Sequence, residues 1–352
     1  MPLCYPHPMA SSTITIDGSQ GEGGGQMLRS SLALSILTQQ PLRMINVRAK
    51  RNKPGLQAQH LASVQAAASI CNATISGDRL GSTSISFHPG PVNAGNYHFK
   101  IGTAGATALV LHTIYLPLLL RAEGPSEVRI EGGTHALMAP SAEYLTTTWA
   151  GYLQTLGASI EVKVVRPGFF PRGGGLLEVK IAPSKLTGLQ LTQQVEAPQP
   201  PELLATIGGK LPEHIAQRML TRARQCLGDT TAGRIVLHPH TKSEGVVFSV
   251  ISHYGPVSTV FFALGARGKP AEAVADEAVA EFEAYRASGC PVDPHAADQL
   301  LLPVVFAQGP TSYRTSAITQ HLLTQRDVIQ QFMKRTVRIT GNLGEQGQID
   351  VE

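Results

Sequence analysis

The 352-residue chain is poor in charge and in aromatic side chains. Charged residues make up 15% of it and aromatic residues 5%, with a single tryptophan. A disordered chain would be rich in charge and poor in apolar residues, whereas 42% of these residues are hydrophobic. The composition therefore excludes overall disorder, and the length predicts two or three domains with a sizeable core.

Cysteine is also scarce. The four residues lie far apart, at Cys4, Cys71, Cys226 and Cys290, and they form no CxxC pair. This spacing argues against a disulfide scaffold and against a zinc ribbon. Because isolated cysteines are typical of proteins in a reducing compartment, we expect a cytoplasmic protein.

No segment has the character of an export signal or a membrane span. The first twelve residues lack a basic start and an apolar run, and we expect them to form a flexible tail. Thr107, His112 and Pro117 interrupt the longest apolar stretch, 104–120, and a span needs about 20 mostly apolar residues. We interpret this stretch as a buried helix and expect no membrane partner.

The chain repeats a pattern of helix followed by strand. Residues 58–75 and 142–160 both show a helical pattern that ends in a small residue before a strand, and residues 320–322 repeat the sequence of 59–61. Units of this kind cannot bury their sheets alone. We therefore expect an α+β fold in which three tandem αβ units surround a common core.

An insertion separates the third unit from the second. Residues 184–267 contain a helical segment, 213–228, and two strand-like runs. We interpret them as an inserted small α/β domain. The first two units are then expected to occupy 13–183 and the third 268–352.

A glycine-rich segment, Asp17–Ser30, leads into the first apolar helix. Glycines let a backbone approach a ligand closely, and N–H groups at the start of a helix point toward an anion. The segment lacks the Gly-Lys-Ser/Thr of a Walker loop, and Gln26 replaces the third glycine of a dinucleotide fingerprint. A tight turn would account for the glycines alone, but Glu22 and Arg29 favour an anion site with a divalent metal.

A basic run follows in the same unit. Arg48, Lys50, Arg51 and Lys53 have no acidic residue between them. Such a run is often only a solvated loop. The chain has few charges overall and a net charge of +4, so the cluster favours phosphate binding by the forked donors of arginine.

The histidines by themselves are weaker signals. His321 and its counterpart His60 both lie at helix starts, where a structural role is more common than a catalytic one. The pair His238 and His240 could suggest a metal site, but the intervening Pro239 favours a turn at a strand end.

Six motifs together resemble the RNA 3′-terminal phosphate cyclase family. They extend in order over nearly the whole chain, from about Ile14 to Glu352, which makes the set far more specific than any one motif. In chain order they are GEGGGQMLRS (21–30), RAKRNKPGLQAQHL (48–61), GGTHALMAPSAEY (132–144), GFFPRGGG (168–175), HAADQLLLP (295–303) and TQHLLT (319–324). The resemblance implies three αβ units similar to the C-terminal domain of translation initiation factor three, with an inserted α/β domain.

The resemblance also implies an ATP-dependent ligase that converts an RNA 3′-phosphate end into a 2′,3′-cyclic phosphate. AMP would be joined first to a histidine, His321 by motif match, and then to the RNA end, with release of pyrophosphate and AMP. Glu22 matches the position of a Mg²⁺ or Mn²⁺ ligand. The positions that match phosphate or RNA-end contacts are Arg29, Arg48, Arg51, Gln59 and His60. Those that match the nucleotide pocket are His295, Asp298, Gln299 and Pro140.

One position departs from the family pattern. Where many members have glutamine in the second unit, this chain has His112, so a contact with adenine there stays open. The imidazole still offers a donor or an acceptor.

Two other functions stay open at this point. A non-catalytic cyclase-like protein of ribosome assembly shares the fold but lacks the nucleophilic histidine, which TQHLLT retains here. An enolpyruvyl transferase is also built from tandem αβ units, but its motifs are absent. The sequence predicts neither the oligomeric state nor the preferred metal.

Overall fold

The computed structural model describes residues 12–193, 199–253, 255 and 257–352. The expected flexible tail lies outside the described residues except for Ser12. Four four-stranded sheets and the helices between them make up the described part of the chain. The α+β class expected from the sequence is confirmed.

The first sheet comes from residues 14–88. Its strand order is β1-β2-β4-β3, in which β1 and β2 are parallel and the other pairs are antiparallel. The elements are β1 (Ile14–Asp17), α1 (Gly25–Thr38), β2 (Leu42–Ile45), α2 (Ala58–Cys71), β3 (Thr74–Ser76) and β4 (Ile85–His88).

The second sheet has the order β5-β6-β8-β7 and the same pattern of one parallel and two antiparallel pairs. A helix with a π-helical segment in its middle precedes β7. The elements are β5 (Asn96–Lys100), α3 (Thr107–Arg121), β6 (Ser126–Gly132), α4 (Ala142–Tyr144), the π-helical segment (Leu145–Trp149), α5 (Ala150–Thr155), β7 (Ser159–Arg166) and β8 (Gly175–Ala182).

The remaining residues form two sheets. In chain order the elements are β9 (Gln190–Leu191), β10 (Glu202–Gly208), α6 (His214–Leu227), β11 (Gly233–His238), β12 (Gly245–Ser252), β13 (Thr259–Leu264), α7 (Ala271–Ser288), α8 (Pro294–Val304), β14 (Thr311–Thr315), α9 (Gln320–Phe332), β15 (Val337–Thr340) and β16 (Gly347–Val351). Strands β9, β14, β16 and β15 again form one parallel and two antiparallel pairs. The sheet β11-β10-β12-β13 lies between β9 and α8 in the chain.

Helix α1 lies at the centre of the main core. Helices α2, α3 and α9 all pack against it, and Leu28, Leu32 and Ile36 are fully buried. Because helices surround α1, its buried residues lie on nearly all of its faces and not along a single stripe. Its N-terminus, with the glycine-rich loop, is therefore held among the starts of neighbouring helices. Helix α3 is buried as expected, and no helix of the described residues is long and apolar enough to cross a membrane.

The insert has a core of its own that extends beyond the expected boundary. Phe248 and Phe261 of its sheet pack with Phe282 and Tyr285 of α7 in a separate apolar cluster. The expected end at residue 267 divides this cluster. At the other end, β9 pairs with β14 of the third sheet rather than with the insert. We therefore propose insert boundaries near residues 192 and 289 instead of 184 and 267.

Phe169 joins the insert to the second sheet. Its ring stacks on His135, with 4.8 Å between the ring centroids, and is 3% exposed. A Cβ added to Gly208 or to Gly245, at adjoining ends of β10 and β12, would collide with this ring. The two glycines thus leave the space into which Phe169 fits.

Replacing Phe169 with alanine should lower the free energy of unfolding by about 3–5 kcal/mol, because it empties a closely packed site. The neighbouring Phe170 is 74% exposed, and its replacement should change stability by less than about 0.5 kcal/mol. Denaturant unfolding of both variants measures the difference. Equal losses would contradict the docking role of Phe169.

Candidate active site

The glycine-rich loop before α1 is shaped by side chains that pack onto its backbone. Gly21 and Gly23 have φ of +50° and +60°, a region that favours glycine. A Cβ on Gly24 would collide with the Arg51 guanidinium, and one on Gly25 would lie 2.6 Å from Nε2 of His60. Glycine is therefore required here for close approach as well as for conformation.

Glu22 links three parts of the chain. Its Oε2 forms an ion pair with Arg51, and its Oε1 accepts a hydrogen bond from the Gln26 N–H at 3.3 Å. Its own N–H donates to Oγ1 of Thr324 on α9, at 3.0 Å. The carboxylate is 5% exposed. Its ion pair with Arg51 and the bond from the Glu22 N–H to Thr324 tie the loop to the basic run and to α9.

His321 lies at the start of α9, beside this carboxylate. Its Nδ1 is 2.8 Å from Oε1 of Gln26 and 3.7 Å from Oε2 of Glu22. Both neighbours are acceptors, so Nδ1 carries the proton and Nε2 has a free lone pair. Burial lowers the pKa of His321, and Glu22 opposes that shift in part. The ring is therefore neutral at pH 7, with 44% of the side chain exposed.

His60 lies opposite, at the start of α2. Its Nδ1 accepts a hydrogen bond from the Gln57 N–H at 3.3 Å, which leaves the proton of the neutral ring on Nε2, beside Gly25. Burial, with help from Arg48, Arg29 and Arg51, lowers the pKa of His60 to about 3. The ring therefore presents a neutral N–H donor to the loop.

Arg29 provides a cation below the loop. Burial lowers its pKa to about 10, while Glu22 and Asp298 oppose the shift. The guanidinium stays protonated at pH 7. Together with Arg51 it makes the region between the loop and the two histidines electropositive, which suits phosphate oxygens.

Arg48 and Gln59, two of the expected phosphate contacts, each form hydrogen bonds with backbone groups of the protein. Arg48 donates to the carbonyls of Lys53 and Gly55, at 2.7 and 2.8 Å, within its own loop. Oε1 of Gln59 accepts from the Ala106 N–H at 3.0 Å. In this structure both side chains support loops around the site, whereas Glu22, Arg29, Arg51, His60 and His321 converge on it.

The expected nucleotide-pocket residues lie along α8. Asp293 caps this helix by accepting from the N–H groups of His295 and Ala296, at 2.9 and 3.0 Å. Asp298 is 7% exposed, and its pKa is raised well above the usual range, mainly by burial and then by Asp293. His295 is exposed beside Tyr144, and Pro140 is half-buried just before α4.

Trp149, in the π-helical segment, is next to both His112 of α3 and Gln299 of α8. His112 stacks on Trp149 with 4.9 Å between ring centroids, and Gln299 and Trp149 line one small cavity. Nε2 of His112 and Oε1 of Gln299 are both buried without a hydrogen-bond partner among the described residues. Burial, reinforced by Arg29, lowers the pKa of His112 to about 3. Unpaired buried polar atoms of this kind are suited to a ligand with polar edges.

Three side chains of the site make contacts that the sequence did not predict, although it drew attention to Gln26 and Lys50 for other reasons. Gln26 fixes the His321 ring, Thr324 fixes Glu22, and Nζ of Lys50 donates to the Gly21 carbonyl at 2.8 Å. The available signal was position, because each of the three lies inside one of the six motifs.

Comparison with known proteins gives one consistent family. The profile described as RNA 3′-terminal phosphate cyclase matches residues 20–339. A protein of that name from Ectopseudomonas mendocina is 42% identical over 92% of this chain and 94% of its own length. One from Nostoc sp. is 40% identical, over 91% and 94%, and one from Salmonella typhimurium is 38% identical, over 96% and 97%. The chain belongs to the RNA 3′-terminal phosphate cyclase family.

Membership in the cyclase family confirms the resemblance seen in the motifs and the expectation of an enzyme. A likeness to the enolpyruvyl transferase NikO from Streptomyces tendae has a TM-score of 0.27 and 15% identity, and it covers 61% of this chain and 38% of that one. A likeness this distant carries no argument about fold or activity.

The fit of a divalent metal depends on Glu22. Among the described residues no group of three or more metal-ligating side chains is present. Both oxygens of Glu22 are occupied by protein donors. Mg²⁺ commonly binds through one carboxylate together with substrate phosphates, so this cyclase-family chain can hold such an ion when the phosphates are present and Arg51 yields its contact.

His60 and His112 should stay neutral well below pH 6.5. Neither the His60 nor the His112 ring is expected to take up a proton between pH 8 and pH 5, which histidine NMR titration measures. In the unfolded chain the same two histidines take up protons near pH 6.5. For each of them the free energy of unfolding should therefore fall as pH drops below 6.5, with a slope of up to about 1.4 kcal/mol per pH unit. A His112→Gln variant should show a shallower loss; an unchanged slope would contradict the burial argument.

Proposed function

We propose that His321 is the nucleophile that carries AMP in this cyclase. The observation that carries this proposal is the contact between Nδ1 of His321 and Oε1 of Gln26, at 2.8 Å. It leaves the Nε2 lone pair free on a half-exposed, neutral ring beside two arginines. No base is needed, because a neutral imidazole attacks phosphorus directly.

In the first step, Nε2 attacks the α-phosphorus of ATP. A phosphorus–nitrogen bond forms, the bond to the β-phosphate oxygen breaks, and pyrophosphate leaves. The imidazole becomes positively charged while Gln26 and Glu22 keep the proton on Nδ1, which stabilises the adduct. Arg29 and the His60 N–H would neutralise charge on the phosphates, and this charge neutralisation is the main requirement of phosphoryl-type transfer.

In the second step, an oxygen of the RNA 3′-phosphate attacks the same phosphorus. The phosphorus–nitrogen bond breaks, the neutral His321 is restored, and AMP is joined to the RNA end. The 2′-hydroxyl then attacks the terminal RNA phosphate, which closes the 2′,3′-cyclic phosphate and releases AMP and a proton. Arg51 lies on the solvent side of Glu22, with 38% of its side chain exposed, and is our candidate contact for the RNA end.

Glu22 is the residue that would hold Mg²⁺ or Mn²⁺. Such an ion, when bound, would neutralise phosphate charge next to the α-phosphorus. In this structure Glu22 pairs with Arg51, which links the glycine-rich loop to the basic run. The carboxylate would thus exchange one cation for another as ATP enters.

The nucleotide base is proposed to bind near α8. Gln299 and His112 offer unpaired polar atoms. Asp298 is close enough to Arg29 to oppose the lowering of its pKa. His295 is exposed and Pro140 is half-buried. Because His112 is neutral, it can donate or accept one hydrogen bond with a purine edge, as glutamine would in its relatives.

The architecture is proposed to consist of three related units and one insert. The support is the shared strand order of three sheets, in which the first two strands in the chain are neighbours and the fourth lies between the second and the third; the insert sheet has a different order. Cytoplasm remains our proposed location. It is supported by the free state of Cys71, Cys226 and Cys290 among the described cysteines.

Replacing His321 with alanine should abolish the covalent adduct with AMP. Incubation with labelled ATP, followed by a denaturing gel, measures the adduct, which should be acid-labile and alkali-stable in the unmodified protein. The exposed His88, on β4, serves as the matched control, and its alanine variant should label normally. Label retained on the His321→Ala chain would contradict the assignment.

Replacing Gln26 with glutamate should move the acid limb of the adenylylation rate to higher pH. The new carboxylate lies against Nδ1, favours the protonated imidazole and so raises the pKa of His321. A protonated ring has no lone pair at Nε2. Rate–pH profiles of labelling measure the shift, and an unchanged limb would mean that Gln26 does not position the nucleophile.

A further inference from the structure

Two adjoining loops of the second unit expose large apolar side chains. Leu137 and Met138 are 77% and 86% exposed, and Phe170 is 74% exposed. The N–H groups of Thr134 and His135 both donate to the Gly168 carbonyl, at 2.9 and 3.2 Å, which ties the loops 132–140 and 168–175 together. Exposed apolar groups that are clustered in this way mark a surface that binds something.

Basic side chains surround this apolar surface. Arg172 follows Phe170 in the same loop, and Lys242 of the insert packs across Gly174. Both are exposed, and neither forms an ion pair with the carboxylates of the described residues. The Arg172 N–H donates to Oγ of Ser243 at 3.0 Å, so the loop and the insert present their charges on one surface.

The loop 168–175 is linked to the active site by a series of packing contacts. A Cβ on Gly173 would lie 2.7 Å from the Thr103 carbonyl oxygen, so loop 168–175 packs on the turn 102–105. That turn leads to Ala106, whose N–H is bound by Gln59. Gln59 precedes His60, which faces the glycine-rich loop. Backbone and side-chain contacts therefore connect loop 168–175, which carries Phe170 and Arg172, with the loop where the RNA phosphate is proposed to react.

We propose that this surface, formed by Met138, Phe170, Arg172 and Lys242, binds the single-stranded RNA that precedes the terminal phosphate. The inference rests on the proposed function, since it assumes that an RNA 3′ end enters the site. Single strands are held by aromatic faces on which bases stack and by basic groups along the backbone. Phe170 supplies the first, and Arg172 and Lys242 supply the second.

Charge and composition favour RNA over a protein partner. Arg172 and Lys242 place positive charge beside the exposed Phe170 ring, which suits a polyanion with stacking bases. Glu131, on β6 in the same region, is already paired with His98 at 2.8 Å and Lys100 at 3.7 Å. The insert would then contribute to RNA binding through Lys242, while the chemistry stays in the units that contain Glu22 and His321.

The test compares two substrates in the intact protein. One is a 3′-phosphorylated dinucleotide and the other a 3′-phosphorylated single-stranded 12-mer, roughly long enough to cross such a surface. In the Arg172→Ala/Lys242→Ala and Phe170→Ala variants, KM for the 12-mer should rise by roughly tenfold or more, with kcat nearly unchanged. KM for the dinucleotide should change little.

The double variant should also reduce the salt slope of log(kcat/KM) by about 0.7 for each lost phosphate contact.

The matched control is Arg234→Ala. Arg234 is exposed near the start of β11, at the end of the insert sheet away from Phe169, and its loss should leave both substrates unaffected. Labelling with ATP alone reports folding and the first step in every variant.

If the unmodified protein is labelled by ATP but cyclises neither substrate, the proposed function fails. If it cyclises both, and the variants treat the 12-mer like the unmodified protein, the RNA surface is wrong. An equal KM increase for the dinucleotide would also overturn it.

Discussion

The site depends on the close approach of the glycine-rich loop to side chains from two other segments. Arg51 and His60 of the first unit, and Thr324 of the third, occupy space that any side chain on Gly24, Gly25 or Gly21 would fill. This approach brings Glu22 within reach of α9 and turns residues about 300 positions apart into one site. The packing of α9 against α1 then fixes the distance between the loop and His321.

Burial keeps the histidine rings of this site neutral while the arginines stay charged. The pKa of His60 and that of His112 are lowered to about 3, whereas Arg29 falls only to about 10. Since the starting value of arginine is so high, the same loss of water leaves it a cation at pH 7. The site thereby combines positive charge from the arginines with uncharged imidazole rings, and no ring competes with the arginines as a cation.

The sequence predicted the residue types at the site better than their roles. The repeat, the buried α3 and the motifs led to Glu22, Arg29, Arg51, His60 and His321, because glycine patterns and charge clusters are local signals. Arg48 looked equivalent to Arg51, yet its guanidinium turns back to the carbonyls of its own loop, and only three-dimensional packing decides that. The sequence predicts an end of the insert at 267, whereas we propose 289 from the apolar cluster that includes α7; an amphipathic helix such as α7 does not reveal in the sequence which sheet it covers.

His60 and His321 occupy corresponding positions in two units, and they hold their protons on opposite nitrogens. A backbone N–H faces Nδ1 in the first ring, whereas an amide oxygen faces it in the second. The first imidazole is therefore a hydrogen-bond donor at its outer nitrogen, and the second is an electron-pair donor. A single neighbouring group, a backbone N–H in one case and an amide oxygen in the other, thus sets whether an imidazole at a helix start offers an N–H or a lone pair, with the helix scaffold left intact.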